Sequence, residues 1–315
     1  MAATASSKHL KISRSYVLYG LLCTVGLYVL LPQLGLFHDS WRTAKGAQPA
    51  YMIAAVVATS MTYMAAAGVY FFLAVKPLHY SRTLRLQLAS MFVNRLLPAG
   101  IGNLGVNYLY LRKSRHSAAQ ATSVVVANNS VGFVGHLLLL GILLAALPLR
   151  LPVAHLHIDK KSLLSAAVAT LILTAILALI PKSRRRLRRT SILAVQQLAN
   201  YRQRPTRLLM ALLCSLLLTL SNVLCLWFSV LAVHISIGLL PILLVFTLGI
   251  ALGTATPTPG GLGGLEAAMV GGLISYHVPS SAALAAVLLY RLVSYWLALL
   301  VGLRMFVLAR QREYF

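Results

Sequence analysis

The chain has 315 residues, of which 59% are hydrophobic and only 10% charged, and it carries a formal net charge of +24. That composition excludes an ordinary soluble globular domain, because membrane spans and their short connections use up nearly the whole length. The basic residues sit between apolar segments rather than on one folded surface, which argues against nucleic acid as a partner and for anchoring on anionic lipid.

Lys8, Lys11 and Arg14 precede a first apolar run, residues 16–36. The run is longer than a signal-peptide core and lacks a small-residue cleavage site, so it reads as a retained span. A second span is expected at residues 50–75, followed by Lys76, Arg82 and Arg85. The next apolar region, residues 86–111, is interrupted by Pro98-Ala99-Gly100-Ile101-Gly102. Each arm has about 12 residues, roughly 18 Å as a helix, too short to cross alone. A re-entrant helical hairpin is expected there, with Arg112, Lys113 and Arg115 behind it.

Full spans are then expected at residues 118–147 and 163–180. The segment 181–207 combines an arginine-rich composition with Ile192, Leu193, Val195 and Leu198, and reads as a basic amphipathic segment lying on anionic lipid at the cytoplasmic face. A span at 208–233 leads to a second interrupted region, residues 242–276. Its break, Pro257-Thr258-Pro259-Gly260-Gly261-Leu262-Gly263-Gly264-Leu265-Glu266, repeats the Pro-x-Gly-x-Gly spacing of Pro98 to Gly102 at an offset of 161 residues. Hydrocarbon tolerates such backbone only where protein or a water-filled cavity surrounds it. The last span is expected at 282–308, followed by Arg310 and Arg312.

Placing the basic clusters in the cytoplasm requires each broken segment to return to the face it entered from. The fold class expected is an all-α integral membrane protein of about six spans plus two re-entrant hairpins, forming a single polytopic domain over residues 1–315. Its first repeat covers about 12–155 and its second about 156–310, in inverted topology. Both termini are expected in the cytoplasm, with the protein in the cell inner (plasma) membrane.

Chemistry is concentrated in few residues. Of the four acidic side chains, Asp39 and Asp159 fall in expected outer loops and Glu313 in the tail, whereas Glu266 starts the returning arm of the second hairpin. Glu266 has two readings: a carboxylate favoured by a helix N-terminus, or a buried charge in a polar cavity meeting substrate or a proton. Arg291 lies about nine residues into the last span, and an unpaired arginine at that depth is costly, so an Arg291–Glu266 pair is expected. Arg291 is alternatively suited to gripping an anionic lipid head group. Asn94 and Arg95 immediately precede the first break, where Arg95 either snorkels to the interface or meets substrate. Gly100, Gly102, Gly261, Gly263 and Gly264 either expose backbone N–H groups to a phosphate or serve close packing. Asn128, Asn129 and His136 read as interhelical hydrogen-bonding groups, with a place on a substrate path as the second reading. Cys23, Cys214 and Cys225 read as small packing residues.

The chain has no Gly-x4-Gly-Lys-Ser/Thr phosphate loop, no His/Asp/Glu cluster at metal-ligand spacing and no serine nucleophile elbow. Neither an enzyme nor a cofactor is expected.

Pro259-Gly260-Gly261-Leu262-Gly263-Gly264-Leu265-Glu266-Ala267-Ala268, followed by Leu289-Tyr290-Arg291-Leu292 and Tyr295-Trp296, resembles the transmembrane region of lysylphosphatidylglycerol synthases, the flippase-like domain. Asn94-Arg95-Leu96-Leu97-Pro98-Ala99-Gly100 resembles that family's upstream Asn–Pro–Gly element. In multiple peptide resistance factors this domain moves aminoacylated phosphatidylglycerol between leaflets, while a soluble domain makes it. The resemblance implies a membrane phospholipid as partner and adds Tyr290 to the residues expected to meet it. Without a synthase domain the chain itself is not expected to aminoacylate lipid. One departure is Asn128-Asn129, where many relatives carry an acidic–basic pair. The expected function is lipid translocation, of an anionic or aminoacylated phospholipid or a polyprenyl-phosphate lipid. The alternative is a non-transporting membrane partner of a lipid-synthesising enzyme or glycosyltransferase, and the oligomeric state is left open.

Overall fold

A computed structural model describes residues 34–96, 101–146, 204–255 and 259–311. Nearly all of the expected span at 16–36, the span at 163–180, nearly all of the basic segment 181–207, and Pro98 to Gly100 lie outside the described residues.

Every regular element described is helical. In chain order these are α1 (Leu34–Lys45), α2 (Pro49–Leu73), α3 (Tyr80–Leu96), α4 (Ile101–Lys113), α5 (Ala118–Ala146), α6 (Pro205–Ala232) and α7 (Leu239–Ala255). A 3-10 turn, Pro259–Gly261, leads into α8 (Gly264–Ser275); then come α9 (Ser280–Arg291), a π-helical segment Leu292–Leu297, and α10 (Ala298–Gln311). Among the described residues four stretches are long and apolar enough to cross a membrane: Pro49–Leu73, Ala118–Leu139, Pro205–Ala232 and Ser280–Ala309. They lie where four of the expected spans do.

Proline starts both α2 and α6, at the position where its missing N–H is one of the helix's unpaired donors anyway. These two helices form the central seam and run antiparallel. Gln48 N donates to Ala232 O at 2.9 Å, Thr59 Oγ1 donates to Cys225 Sγ at 3.1 Å, and a Cβ on Gly68 would meet Cys214 Sγ at 2.7 Å. The seam is built from small side chains, Ala55, Ala58, Thr59, Thr62 and Ala65 on α2 and Ala211, Ser215, Ser221 and Ser229 on α6. The outward faces carry Ile53, Val57, Met61, Met64, Leu209, Leu213 and Leu217, all exposed. Small and polar inside with large and apolar outside is the pattern of helices solvated by lipid, where close van der Waals approach drives association.

On either side of this seam lies one hydrophobic core. The first gathers the C-terminal part of α2 with α3, α4, α5 and Ala211; the second gathers Ala55 and Ala58 with α6, α7, α8 and α9. Each core contains one helical hairpin. In α3–α4 the register is set by Thr83–Tyr110, Gln87–Asn107 and Ser90–Asn103 contacts. In α7–α8 it is set by close approach, because a Cβ on Gly249 would lie 2.7 Å from Met269 and one on Gly253 would lie 2.7 Å from Leu265.

The ends of the bundle differ in charge. Lys76 Nζ donates to Arg115 O at 2.5 Å, and Lys76 N donates to His116 Nε2 at 3.1 Å, which ties the α2–α3 connection to the α4–α5 connection. The same end holds the start of α6 with Arg204 and Arg207. At the opposite end Gln48 Nε2 lies 3.0 Å from His234 Nδ1, and Arg42 and Lys45 close α1 there, so that end is basic too but carries fewer cations. The outer ends of α3 and α4 lie at the more basic end beside Lys76 and His116, and α7 begins a few residues after His234 at the other. The C-terminal end of α3 touches the 3-10 turn beside the middle of the span Ser280–Ala309, and α10 packs along α3.

Candidate functional site

The tip of the second hairpin is a left-handed glycine run, with φ of +63° at Gly260, +67° at Gly261 and +88° at Gly263. At Gly260 a side chain is excluded twice over: L-residues avoid that φ, and a Cβ there would lie 2.4 Å from the Tyr295 ring. The turn delivers the chain into α8 at Gly264, and Glu266 occupies the first turn. Its Oε2 accepts the Gly263 backbone N–H at 2.7 Å, satisfying a donor the helix leaves open. Its Oε1 accepts from Arg291 Nε at 2.5 Å, an ion pair whose side chains are 17% and 9% exposed. Arg291 also donates through Nη2 to Gly260 O at 3.2 Å, so one guanidinium pins both the carboxylate and the turn. Glu266 is thus a helix cap and an ion-pair partner at once, and both its oxygens are occupied.

In the first hairpin neutral amides hold the arms together. Gln87 Nε2 donates to Asn107 Oδ1 at 2.7 Å, Asn107 Nδ2 donates to Asn103 Oδ1 at 2.6 Å, and Ser90 Oγ donates to the same oxygen at 3.1 Å. The Asn103 backbone N–H points to Asn94 Oδ1 at 3.4 Å. This ladder forms one wall of a 170 Å³ cavity, whose other lining comes from Thr62, Tyr63 and Ala66 on α2, Met91 and Arg95 on α3, Asn222 on α6 and Ser294. Among the described residues no carboxylate lines it.

Arg95 donates through Nη2 to the Ser294 carbonyl and through Nη1 to Met91 O at 3.4 Å, while its buried Nε has no hydrogen-bond partner. The Ser294 carbonyl lies in the π-helical segment, whose wider turn loosens the regular backbone ladder. Tyr295 sits between the two arginines, with Arg95 Cζ 5.0 Å and Arg291 Cζ 5.3 Å from its ring centroid. Aromatic faces attract guanidinium groups, and the attraction grows where water is excluded. One ring therefore joins the first hairpin, the second hairpin and the last span.

A second hollow, of about 500 Å³, lies against α2 and the π-helical segment and is wholly apolar. It is lined by Met52, Ile53, Val56, Val57, Leu292, Val293, Trp296, Leu297 and Leu300. It shares a stripe of α2 with the polar cavity, since Met52, Val56, Tyr63 and Ala66 recur at helical spacing on one face. Val293 lines the hollow and its neighbour Ser294 lines the cavity.

Of the residues singled out in the sequence, Glu266, Arg291, Gly261, Gly263 and Gly264 are brought together at the tip of the second hairpin. Arg95 points to this meeting point rather than toward the basic end, and Asn94 lines the polar cavity. Tyr290 is 4% exposed and packs edge-on against Phe246, with centroids 6.5 Å apart, inside the second core. Gly100 lies outside the described residues. On α5, Asn128 and His136 are half-buried and Asn129 is exposed, none of them lining the cavity. Sequence reasoning missed Gln87, Ser90, Asn103 and Asn107, although polar residues at i, i+3 and i+7 on α3 and at i, i+4 on α4 mark one face of each helix. It also missed Tyr295 as the link between the arginines.

Residues 11–302 match the family model described as the lysylphosphatidylglycerol synthase TM region. No curated protein matches the chain.

Proposed function

Since the chain belongs to the lysylphosphatidylglycerol synthase transmembrane-region family and is a multi-pass membrane protein, we propose that it is a lipid translocase. It moves a phospholipid or related phosphate-bearing lipid between leaflets and performs no covalent chemistry of its own. The observation that carries this reading is the convergence of the C-terminal end of α3 and the glycine turn before α8 on the last span, around Arg95, Tyr295, Arg291 and Glu266. Ionisable groups within membrane segments belong to substrate paths more often than to packing.

Two further features support it. The corresponding spans α2 and α6 run antiparallel, and each hairpin packs on a span of the other half, α3 on α10 and α7 on α5. That arrangement suits an inverted-topology repeat of residues 12–155 and 156–310, with both hairpins re-entrant and alternating access arising from one half rocking against the other. The gathering of Lys76, Arg115, Arg204 and Arg207 at one end supports a cytoplasmic assignment for that face, and with it cytoplasmic termini in the inner membrane. There, juxtamembrane cations also attract anionic lipid.

The test is reconstitution of the purified chain in vesicles carrying a head-group-accessible fluorescent phospholipid in one leaflet. Expected is exchange between leaflets that Glu266→Gln suppresses. Absence of movement for both anionic and aminoacylated lipids sinks the translocase. Movement that returns only when a lipid-synthesising enzyme is added turns the reading into that of a membrane partner.

A further inference from the structure

Charge around the hairpin tips does not balance. Among the described residues the carboxylates are Asp39, exposed on α1, and Glu266. Glu266 gives one oxygen to Arg291 and the other to the Gly263 N–H, so the second hairpin is neutral as it stands. Among the described residues the partners of Arg95 are neutral: two carbonyls, the Tyr63 side chain and the face of Tyr295. Its Nε is buried and without a partner, and it is one of only three buried side-chain polar atoms so placed among the described residues. A cation at mid-span depth without a counter-ion costs several kcal/mol, so the site is one negative charge short.

The cavity beside Arg95 defines what should bring that charge. Its walls offer amide and hydroxyl groups from Gln87, Ser90, Asn94, Asn103 and Asn222, which can both donate and accept hydrogen bonds, and, among the described residues, no carboxylate. An ammonium group placed there would face a guanidinium with no anion to receive it. A neutral polyol would find partners on several sides. At 170 Å³ the space is below the range of whole-ligand pockets and suits a head group alone. The apolar hollow on the same stripe of α2 is three times larger and offers hydrocarbon contacts throughout.

Resting on the translocase reading and narrowing it, we propose that the polar cavity binds a monoanionic phosphodiester lipid with an uncharged hydroxylated head group, whose acyl chain lies in the hollow formed by Val56, Val57, Val293 and Trp296. Arg95 takes the phosphate through Nε, and the amide ladder takes the hydroxyls. Lipids whose head groups carry an added ammonium are disfavoured at this site.

The experiment is equilibrium retention by the full chain in neutral detergent, read by native mass spectrometry. The probes are phosphatidylglycerol, its lysyl ester, phosphatidylethanolamine, diacylglycerol and free glycerol phosphate. Expected is retention of phosphatidylglycerol over its lysyl ester by at least roughly tenfold, the scale of one charge-assisted hydrogen bond. Diacylglycerol should bind weakly for want of charge, and free glycerol phosphate weakly for want of a chain. Arg95→Gln should bring the first two lipids to within about twofold of each other, whereas Arg95→Lys keeps the preference, since the cation remains. Asn222→Ala, which alters the cavity wall without touching a charge, should weaken phosphatidylglycerol while leaving diacylglycerol unchanged. A phosphatidylglycerol with a photoreactive group on its acyl chain should label Val56, Val57 or Trp296. Equal or tighter retention of the lysyl ester overturns the proposal, as does labelling confined to other faces. Retention involves no second leaflet, so its outcome is independent of whether the chain moves lipid. A chain that transports with the opposite preference overturns this inference alone.

Discussion

In the α7–α8 hairpin charge is closed on itself: Glu266 caps its own helix, receives Arg291, and leaves no oxygen over. In the α3–α4 hairpin neutral amides do the joining, and Arg95 is left with a bare Nε against a cavity. The same device, a pair of short antiparallel helices, thus serves two ends. One tip is a self-sufficient anchor; the other is incomplete until something anionic arrives. What separates them is the location of the carboxylate, because a buried charge stabilises a fold only when its counter-charge is built in.

The sharpest way to break this comparison is to remove one charge from each tip. Glu266→Ala leaves Arg291 buried and unpaired, and should destabilise the protein by about 3–5 kcal/mol in detergent unfolding. Arg95→Gln removes a cation that has no built-in counter-charge, together with its two carbonyl contacts, and should cost less, about 1 kcal/mol. Equal losses for the two would mean that Arg95 is a structural group like its counterpart.

Backbone chemistry separates the tips next. Gly260→Ala forces an L-residue into a left-handed conformation and drives its Cβ into Tyr295, with an expected cost of about 1–3 kcal/mol and loss of the stack between the two arginines. The amide ladder should respond less. Asn107→Leu strands the Gln87 amide and removes two bonds to Asn103, for roughly 1–2 kcal/mol, without altering any charge.

The smallest effect lies away from both tips, at the connection that follows the first hairpin. His116 Nδ1 faces the Leu111 and Ser114 carbonyls, and Nε2 accepts the Lys76 N–H, so the ring is held neutral. Burial first, opposed by the carbonyl contacts, and then the nearby Lys76 charge push its pKa below the usual 6.5. A lowered folded value means that the unfolded chain binds the proton more readily. The contribution is therefore complete above about pH 6.5 and fades as pH falls through the folded value. Thermal unfolding followed from pH 8 to pH 5 should fall more for the parent than for His116→Gln.

Much of this was legible in the sequence. Spans expected at 50–75, 118–147, 208–233 and 282–308 correspond to helices that begin and end within a few residues of those limits, because long apolar runs bounded by proline or basic residues admit few other readings. The Glu266–Arg291 pair followed from scarcity: with one carboxylate in an apolar region, a buried arginine had one place to go. The amide ladder was hidden because α3 mixes polar and apolar residues on all sides, and its meaning appears only once α4 folds back on it. Tyr290 and Tyr295 are equivalent as letters, yet one lies in the core against Phe246 and the other stands between two arginines. The π-helical segment Leu292–Leu297 contains neither proline nor glycine, so no local signal announces it.

That segment sets the rotational phase of everything after it. A helix turns by about 100° for each residue, and a π turn accommodates one more residue than an α turn does. Before it, Ala285, Ala286 and Leu289 face the second core; after it, Gly302 and Phe306 meet Leu88 and Phe92 of α3. Deleting a single residue between Leu292 and Leu297 would restore regular winding and swing the whole C-terminal stretch away from α3, uncoupling the last helix from the first half of the molecule.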